Sequence, residues 1–151
     1  MRSDNACMSL FEATQQRRLR VLFVCLANAC RSRMAEGFAN AYAPNLVDAS
    51  SAGLRPANHI SRRTMAVMAE KGIFLNAHEP RGLEGLDPDS FDLIVNMSGR
   101  SLPVCSARVL AVPLPDPGRG DIALHRQVRD SVERVVRALL LKLNSAREMA
   151  A

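Results

Sequence analysis

The sequence predicts an α/β fold in which a parallel β-sheet is covered on both faces. Two observations support this prediction. Short, continuous apolar segments such as Leu19–Cys25 suit buried strands, and amphipathic helical segments alternate with them. The predicted order is β-α-β-α-β-(α)-β-α. A length of 151 residues fits a single domain of this kind.

The first half of the chain contains two strands, each followed by a helix. Leu19–Cys25 is short and rich in β-branched and aromatic residues, so it is predicted as a buried strand. Residues 32–42 carry apolar side chains at helical spacing, and residues 47–52 suit a second strand. Ser61 is a suitable N-cap for a helix through residue 71, and Gly72 stands where a C-terminal cap glycine is expected.

The second half begins with residues 80–90, where two glycines and two prolines predict a loop around a short helical turn. Residues 91–97 form the clearest central strand, and residues 109–114 form a fourth. From residue 124 to 143, apolar side chains recur every three or four positions, which predicts a long amphipathic helix. We interpret four arginines of this helix as solvated surface: Arg126, Arg129, Arg134 and Arg137.

Residues 19–145 are predicted to form one domain, with a flexible N-terminal extension (1–18) before it and a short tail (146–151) after it. The extension has acidic residues and lacks the apolar centre of a signal peptide, so we expect a cytoplasmic protein with reduced cysteines. No apolar run approaches the roughly 20 residues of a membrane span, so no membrane partner is expected.

The charge balance is basic, with 20 basic residues against 15 acidic ones and a net charge of +5. All basic residues except Lys71 and Lys142 are arginines, spread along the whole chain. Only 4% of residues are aromatic, so the stacking platforms of single-stranded nucleic-acid binders are missing and no nucleic acid is expected as a partner. No Cys-x-x-Cys or His-Glu-x-x-His pattern occurs, so neither a metal nor a cofactor is predicted.

The loop after the first strand joins Cys25 to Arg31 through five residues, and a helix follows directly. The N–H groups of such a loop can form an oxyanion-binding nest at the positive end of the helix, which also favours a thiolate at Cys25. Arg31 can bind two oxygens of a phosphate-like group, and Ser32 can donate to the thiolate. A structural cysteine beside a surface arginine is the disfavoured alternative. The candidate phosphate-binding residues are Leu26, Ala27, Asn28, Ala29, Cys30, Arg31 and Ser32.

Residues 21–37, which read Val-Leu-Phe-Val-Cys-Leu-Ala-Asn-Ala-Cys-Arg-Ser-Arg-Met-Ala-Glu-Gly, resemble the low-molecular-weight protein tyrosine phosphatase superfamily, including its thioredoxin-linked arsenate reductases. Segments near Gly53, Gly72 and Asp92 agree, so the resemblance covers residues 19–145. It implies a flavodoxin-like three-layer sandwich whose four-stranded parallel sheet has the order 2-1-3-4. It also implies a phosphatase-like catalytic domain in which Cys25 and Arg31 are catalytic.

Phosphoryl transfer to Cys25 requires a proton for the departing oxygen. Asp116 is the candidate acid, because it follows the fourth predicted strand and therefore lies at the same sheet edge as Cys25. The resemblance supports this role, since an Asp-Pro pair at this place carries the general acid and Asp116-Pro117 matches it. A turn-initiating role before Pro117 is the alternative. Asp121 suits an N-cap for the last helix better.

The main functional prediction is a phosphatase that hydrolyses phosphotyrosine or another phosphomonoester through a cysteinyl phosphate, with a phosphoprotein or small phosphoester as substrate. The alternative is an arsenate reductase with a thiol reductant. The resemblance places Ser98 where a reductase carries its first resolving cysteine and Cys105 at the second, which favours hydrolysis. Cys30 and Cys105 are the possible redox residues. A phosphate-binding module without turnover is less favoured, because binding alone needs neither Cys25 nor Asp116.

Overall fold

The computed structural model describes residues 17–76, 78–103 and 108–150. Four strands form one sheet: β1 (Leu19–Cys25), β2 (Val47–Gly53), β3 (Leu93–Asn96) and β4 (Val109–Ala111). All neighbouring strands are parallel, and their order is β2-β1-β3-β4. The flavodoxin-like arrangement with sheet order 2-1-3-4 is therefore confirmed.

Three α-helices accompany the sheet: α1 (Arg31–Tyr42), α2 (Arg62–Ala69) and α3 (Ile122–Ala150). A short 3-10 helix, Pro88–Ser90, lies in the segment before β3, where a helical turn is predicted. Ser61 caps α2 by accepting a hydrogen bond from the Thr64 amide, as predicted. Gly72 has a φ of 72°, which suits the glycine after the helix end.

The two faces of the sheet are covered differently. The larger core lies on one face, where all three helices contribute buried side chains such as Phe38 of α1, Met68 of α2 and Val132 of α3. Leu22 and Ile94 belong to the other face, whose cover comes from the loop residues Leu54, Leu83, Leu86 and Leu102. The third layer is therefore built mainly from loop segments.

Several predicted boundaries differ from the structure, among them the end of α2, which lies at Ala69 instead of residue 71. The third strand is confined to Leu93–Asn96 within the predicted residues 91–97. The fourth ends at Ala111 instead of residue 114, because its partner β3 ends at Asn96, the residue that pairs with Ala111. The last helix begins at Ile122 and continues past residue 145, the predicted domain end, to Ala150.

Arg129 also differs from its prediction as solvated helix surface. It is 8% exposed, and its guanidinium donates to the Val67 carbonyl at 3.0 Å and to Glu70 at 2.7 Å. This contact holds α3 against the end of α2. In the described ranges no helix has both the length and the hydrophobicity to cross a bilayer. Of the predicted extension, residues 1–16 lie outside the described residues, and Arg17 pairs with Asp92.

Candidate functional site

The carbonyl groups of the loop between β1 and α1 accept hydrogen bonds from outside the loop. A neighbouring segment, residues 54–61, donates to them from four amides: Leu54 to Cys25 O at 3.0 Å, Arg55 to Leu26 O at 2.7 Å, Ala57 to Ala27 O at 2.9 Å and Ser61 to Ala29 O at 3.2 Å. We call this segment the strap. The amides of residues 26–30 donate to no acceptor within the described part of the chain. They form a nest of free N–H groups suited to an oxyanion.

Gly53 allows the strap to lie this close to the loop. It pairs with Cys25 at the ends of β2 and β1. A Cβ atom at Gly53 would lie 2.7 Å from both the Asn28 amide nitrogen and the Leu26 carbonyl oxygen. Because both neighbours are backbone atoms of the nest, any larger residue would displace the loop itself. No role was predicted for this glycine, although a Gly directly after a predicted buried strand is a signal of close backbone approach.

Cys25 ends β1 and is almost completely buried. Its sulfur lies 3.0 Å from the hydroxyl oxygen of Ser32, in the first turn of α1. The predicted proximity of Cys25 and Ser32 is therefore present in the structure. A hydroxyl at this distance can donate to a thiolate and stabilise its charge.

Asn28 lies at the centre of the nest with a φ of 53°, a left-handed conformation that asparagine tolerates better than most residues. Its carboxamide nitrogen donates to Ser32 Oγ at 2.8 Å and to Ser51 Oγ at 2.9 Å. Its oxygen accepts from the Arg81 amide at 3.0 Å. This fully buried side chain therefore links the nest, β2 and the segment before β3.

Ser51, Glu36 and Arg81 continue this network behind the nest. The Ser51 hydroxyl donates to Glu36 Oε2 at 2.5 Å, and Arg81 Nε donates to the Ser51 carbonyl at 2.9 Å. Glu36 also lies 3.9 Å from the buried guanidinium of Arg33. No role was predicted for these residues, because they come from three separate segments and no local spacing links them.

Arg31 is 4% exposed and is fixed by two carbonyl groups at the ends of neighbouring segments. Its NH1 donates to Met97 O at 3.0 Å and to Leu114 O at 2.8 Å. Its Nε is buried and has no hydrogen-bond partner in the structure. A buried guanidinium N–H without a partner is costly, so the site lacks an acceptor that an oxyanion would supply.

Asp116 lies beside Arg31, with 3.4 Å between Asp116 Oδ2 and Arg31 NH2. The other carboxylate oxygen accepts from the Gly118 amide at 3.0 Å, and the side chain is 42% exposed. The predicted acid is therefore next to the predicted anion ligand and open to solvent. Asp121 instead accepts from the Leu124 amide at 2.9 Å at the start of α3, as expected of an N-cap.

The structure describes only one of the two predicted redox residues, Cys30. Cys30 is a free thiol at the end of the nest, and burial raises its pKa above the ordinary value, partly offset by the Thr64 and Ser61 hydroxyls. Cys105 lies outside the described residues. The Ser98 hydroxyl donates to Asn96 Oδ1 at 2.6 Å, so it helps close the turn after β3.

The chain is similar to both arsenate reductases and phosphatases. The sequence profile of the family described as low molecular weight phosphotyrosine protein phosphatase matches residues 20–149. A curated relative, glutaredoxin arsenate reductase from Synechocystis sp., is 28% identical over 130 residues, which cover 83% of this chain and 98% of the relative.

Two solved structures illustrate the same division. Arsenate reductase from Archaeoglobus fulgidus is 32% identical with a TM-score of 0.72, and the match covers 79% of this chain and 97% of that one. YwlE arginine phosphatase from Geobacillus stearothermophilus is 26% identical with a TM-score of 0.79, and the match covers 88% and 97%. The comparisons therefore give the fold and the family without separating the two activities.

Proposed function

Because the chain belongs to the low molecular weight phosphotyrosine protein phosphatase family, we propose that it hydrolyses phosphomonoesters, phosphotyrosine among them, through a covalent intermediate on Cys25. The observation that carries this proposal is the pairing of Asp116 with Arg31 at 3.4 Å, at the same sheet edge as Cys25. A carboxyl group next to the anion ligand is what hydrolysis requires, since the leaving oxygen needs a proton.

In the first step the Cys25 thiolate attacks phosphorus. The sulfur–phosphorus bond forms while the bond to the ester oxygen breaks, and protonated Asp116 gives its proton to that oxygen. The nest amides and Arg31 bind the remaining phosphoryl oxygens. Since these donors are fixed before the reaction, they stabilise charge in the transition state without rearranging.

In the second step the Asp116 carboxylate takes a proton from water, and the water oxygen attacks phosphorus. The sulfur–phosphorus bond breaks, and its electron pair returns to Cys25 as a thiolate. The Ser32 hydroxyl, 3.0 Å from the sulfur, stabilises that leaving thiolate. One acid and one nucleophile therefore complete the cycle.

A second candidate is arsenate reduction, favoured by the reductases among the similar proteins. Arsenate has the shape and charge of phosphate and suits the same nest. Cys25 would bond to arsenic with loss of one arsenate oxygen as water. A second thiolate would then attack the Cys25 sulfur, forming a disulfide while the sulfur–arsenic electron pair reduces As(V) to As(III). That thiolate would come from Cys30, Cys105 or an external partner such as glutathione, thioredoxin or glutaredoxin.

Two parallel assays separate the candidates. Hydrolysis of p-nitrophenyl phosphate is measured between about pH 5 and 7.5 for wild type, Cys25→Ser and Asp116→Ala. Arsenate-dependent thiol consumption is measured with thioredoxin, glutathione or mycothiol. We expect hydrolysis by wild type, none by Cys25→Ser and a large loss in Asp116→Ala. Absence of hydrolysis by folded wild type would overturn the proposal, and arsenate-dependent consumption would then establish the reductase. The absence of both activities would indicate a binding module.

A further inference from the structure

Four cationic or potentially cationic residues lie along the strap and the start of α2: Arg55, His59, Arg62 and Arg63. All four side chains are exposed. None of them makes an ion pair or a side-chain hydrogen bond within the described ranges. Residues 54–63 contain no acidic residue. We call these four residues the rim.

Some exposed arginines elsewhere contribute ion pairs to the fold. Arg17 pairs with Asp92 at 3.0 Å, Arg126 with Glu70 at 2.9 Å and Arg137 with Glu133 at 3.5 Å. The rim arginines contribute no such contact, and in the described ranges the same holds for Arg18, Arg100 and Arg119. The rim is distinguished by its position in the fold and not by the lack of partners alone.

Two rim residues also occupy unfavourable positions. Arg62 and Arg63 are the first residues of α2, whose first turn contains no acidic side chain. The N-terminus of a helix carries a partial positive charge, so cations there destabilise the helix and anions stabilise it. A local rule broken without compensation inside the fold is typical of a functional surface. A bound anion would supply the missing compensation.

The rim adjoins the nest. The Arg55 amide donates to Leu26 O at 2.7 Å, and the Ser61 amide, just before Arg62, donates to Ala29 O at 3.2 Å. Inside the nest, the buried Nε of Arg31 has no partner, which independently indicates an anionic ligand at this place. One anion position is therefore built into the nest, and the segment that carries the unpaired cations contacts the outer side of the same loop through its backbone.

Aromatic residues are absent from this edge. The strap, the start of α2 and residues 116–120 contain no Phe, Tyr or Trp. Phe23, Phe38 and Phe91 are buried in the two cores, so they offer no surface to a substrate ring. Among the described residues, the edge of the site therefore offers no platform for the phenyl ring of phosphotyrosine and carries charge instead.

We propose that the substrates of this site are phosphate esters with a second anionic group close to the scissile phosphate, which the rim binds while the nest holds the phosphate. This inference about the substrate rests on the proposed function for its chemistry, but the binding preference is measurable without turnover. Arg62 and Arg63, with Arg55 beside them, are the specificity-determining residues.

The test uses two esters that share a three-carbon skeleton. Glycerol 3-phosphate carries only the phosphate, whereas 3-phosphoglycerate adds a carboxylate. Their dissociation constants are measured by isothermal titration calorimetry on the Cys25→Ser protein, which cannot form the phosphoenzyme. We expect 3-phosphoglycerate to bind about tenfold more tightly at low salt, a preference that shrinks as added salt screens the exposed charges.

The variant Arg62→Gln/Arg63→Gln should reduce this preference to about threefold or less. Its matched control is Arg18→Gln/Arg134→Gln, which removes the same charge from exposed arginines elsewhere and should keep the wild-type preference. Equal affinities for the two esters in the Cys25→Ser protein, or an unchanged preference after loss of Arg62 and Arg63, would overturn the proposal.

Hydrolysis of the same two esters by wild type separates this inference from the proposed function. Tight, rim-dependent binding without hydrolysis of either ester or of p-nitrophenyl phosphate would reject the phosphatase and retain the rim. Hydrolysis of p-nitrophenyl phosphate without any binding preference would retain the phosphatase and reject the rim.

Discussion

The carboxamide nitrogen of Asn28 donates a hydrogen bond to the Ser32 hydroxyl oxygen at 2.8 Å. The Arg81 amide, a donor only, contacts the Asn28 oxygen and so fixes which end of the carboxamide meets Ser32. Ser32 accepts this bond, and its own proton is left for the Cys25 sulfur 3.0 Å away. The network therefore directs a donor at the nucleophile.

Replacing Ser32 with alanine should slow alkylation of Cys25. A hydrogen bond to a charged group contributes about 1.5–3 kcal/mol, so the reaction with iodoacetamide at about pH 6 should slow by roughly tenfold or more. Mass spectrometry of the Cys25 peptide measures the rate. Ser145→Ala, on the exposed surface of α3, is the control. Equal rates in Ser32→Ala and wild type would show that the hydroxyl does not stabilise the thiolate.

Replacing Asn28 with alanine should destabilise the fold by about 2–4 kcal/mol, because buried donors and acceptors on Ser51 and Arg81 lose their partner. Part of this loss comes from the backbone, since alanine is strained at a φ of 53° and glycine is not. Urea unfolding of Asn28→Gly should therefore show a loss about 1 kcal/mol smaller than that of Asn28→Ala. Identical stabilities of the two variants would contradict the strain contribution.

Asp116→Asn should reduce activity in proportion to the difficulty of the leaving group. For phenyl phosphate we expect kcat to fall by roughly 100-fold or more, as for loss of a general acid. For p-nitrophenyl phosphate, whose leaving group needs less protonation, the fall should be much smaller. The control is Asp121→Asn, because asparagine also caps helices well and the residue lies outside the site. Equal losses on both substrates would assign Asp116 a binding role only.

Cys30 should be far less reactive than Cys25. Burial raises the pKa of the Cys30 thiol, so it stays protonated at neutral pH and a poor nucleophile. In a Cys7→Ser/Cys105→Ser background, one equivalent of iodoacetamide at about pH 7 should label Cys25 and leave Cys30 free, as peptide mass spectrometry would show. Preferential labelling of Cys30 would contradict this and favour its role as a resolving thiol.

Arg63→Glu should stabilise the protein while weakening binding of doubly charged esters. An acidic side chain in the first turn of α2 replaces a repulsive contact with the helix dipole by an attractive one, worth about 0.5–1 kcal/mol at low salt. Urea unfolding measures the gain, and Arg134→Glu in the middle of α3 should show no comparable increase. A loss of stability in Arg63→Glu would mean that the arginine has a structural role.

The parts of the molecule that sequence could predict are those determined by local pattern. The run Leu19–Cys25 is a strand as predicted. The loop from Cys25 to Arg31 leads directly into a helix, as its spacing predicts. Asp116 lies beside Arg31 because parallel strands end at one edge of the sheet.

The rest depends on contacts between distant segments. Glu36 is a polar residue within the predicted helix of residues 32–42, and nothing in its spacing reveals that it accepts a hydrogen bond from Ser51 on a neighbouring strand. Gly53 is required by the approach of the strap to the nest, which no spacing along the chain reveals. The fourth strand ends early because its partner strand ends at Asn96, although its own apolar pattern continues.

The strap's hydrogen bonds to the nest carbonyls have a consequence for the thermodynamics of binding. Because four loop carbonyls already have partners, the loop takes its binding shape before any ligand arrives. Anion binding therefore requires little ordering of the backbone, and most of the interaction free energy of the N–H groups is retained as affinity. Inorganic phosphate, the product of the proposed reaction, would benefit equally, so a preformed nest favours product inhibition and makes phosphate release a candidate for the slow step of turnover.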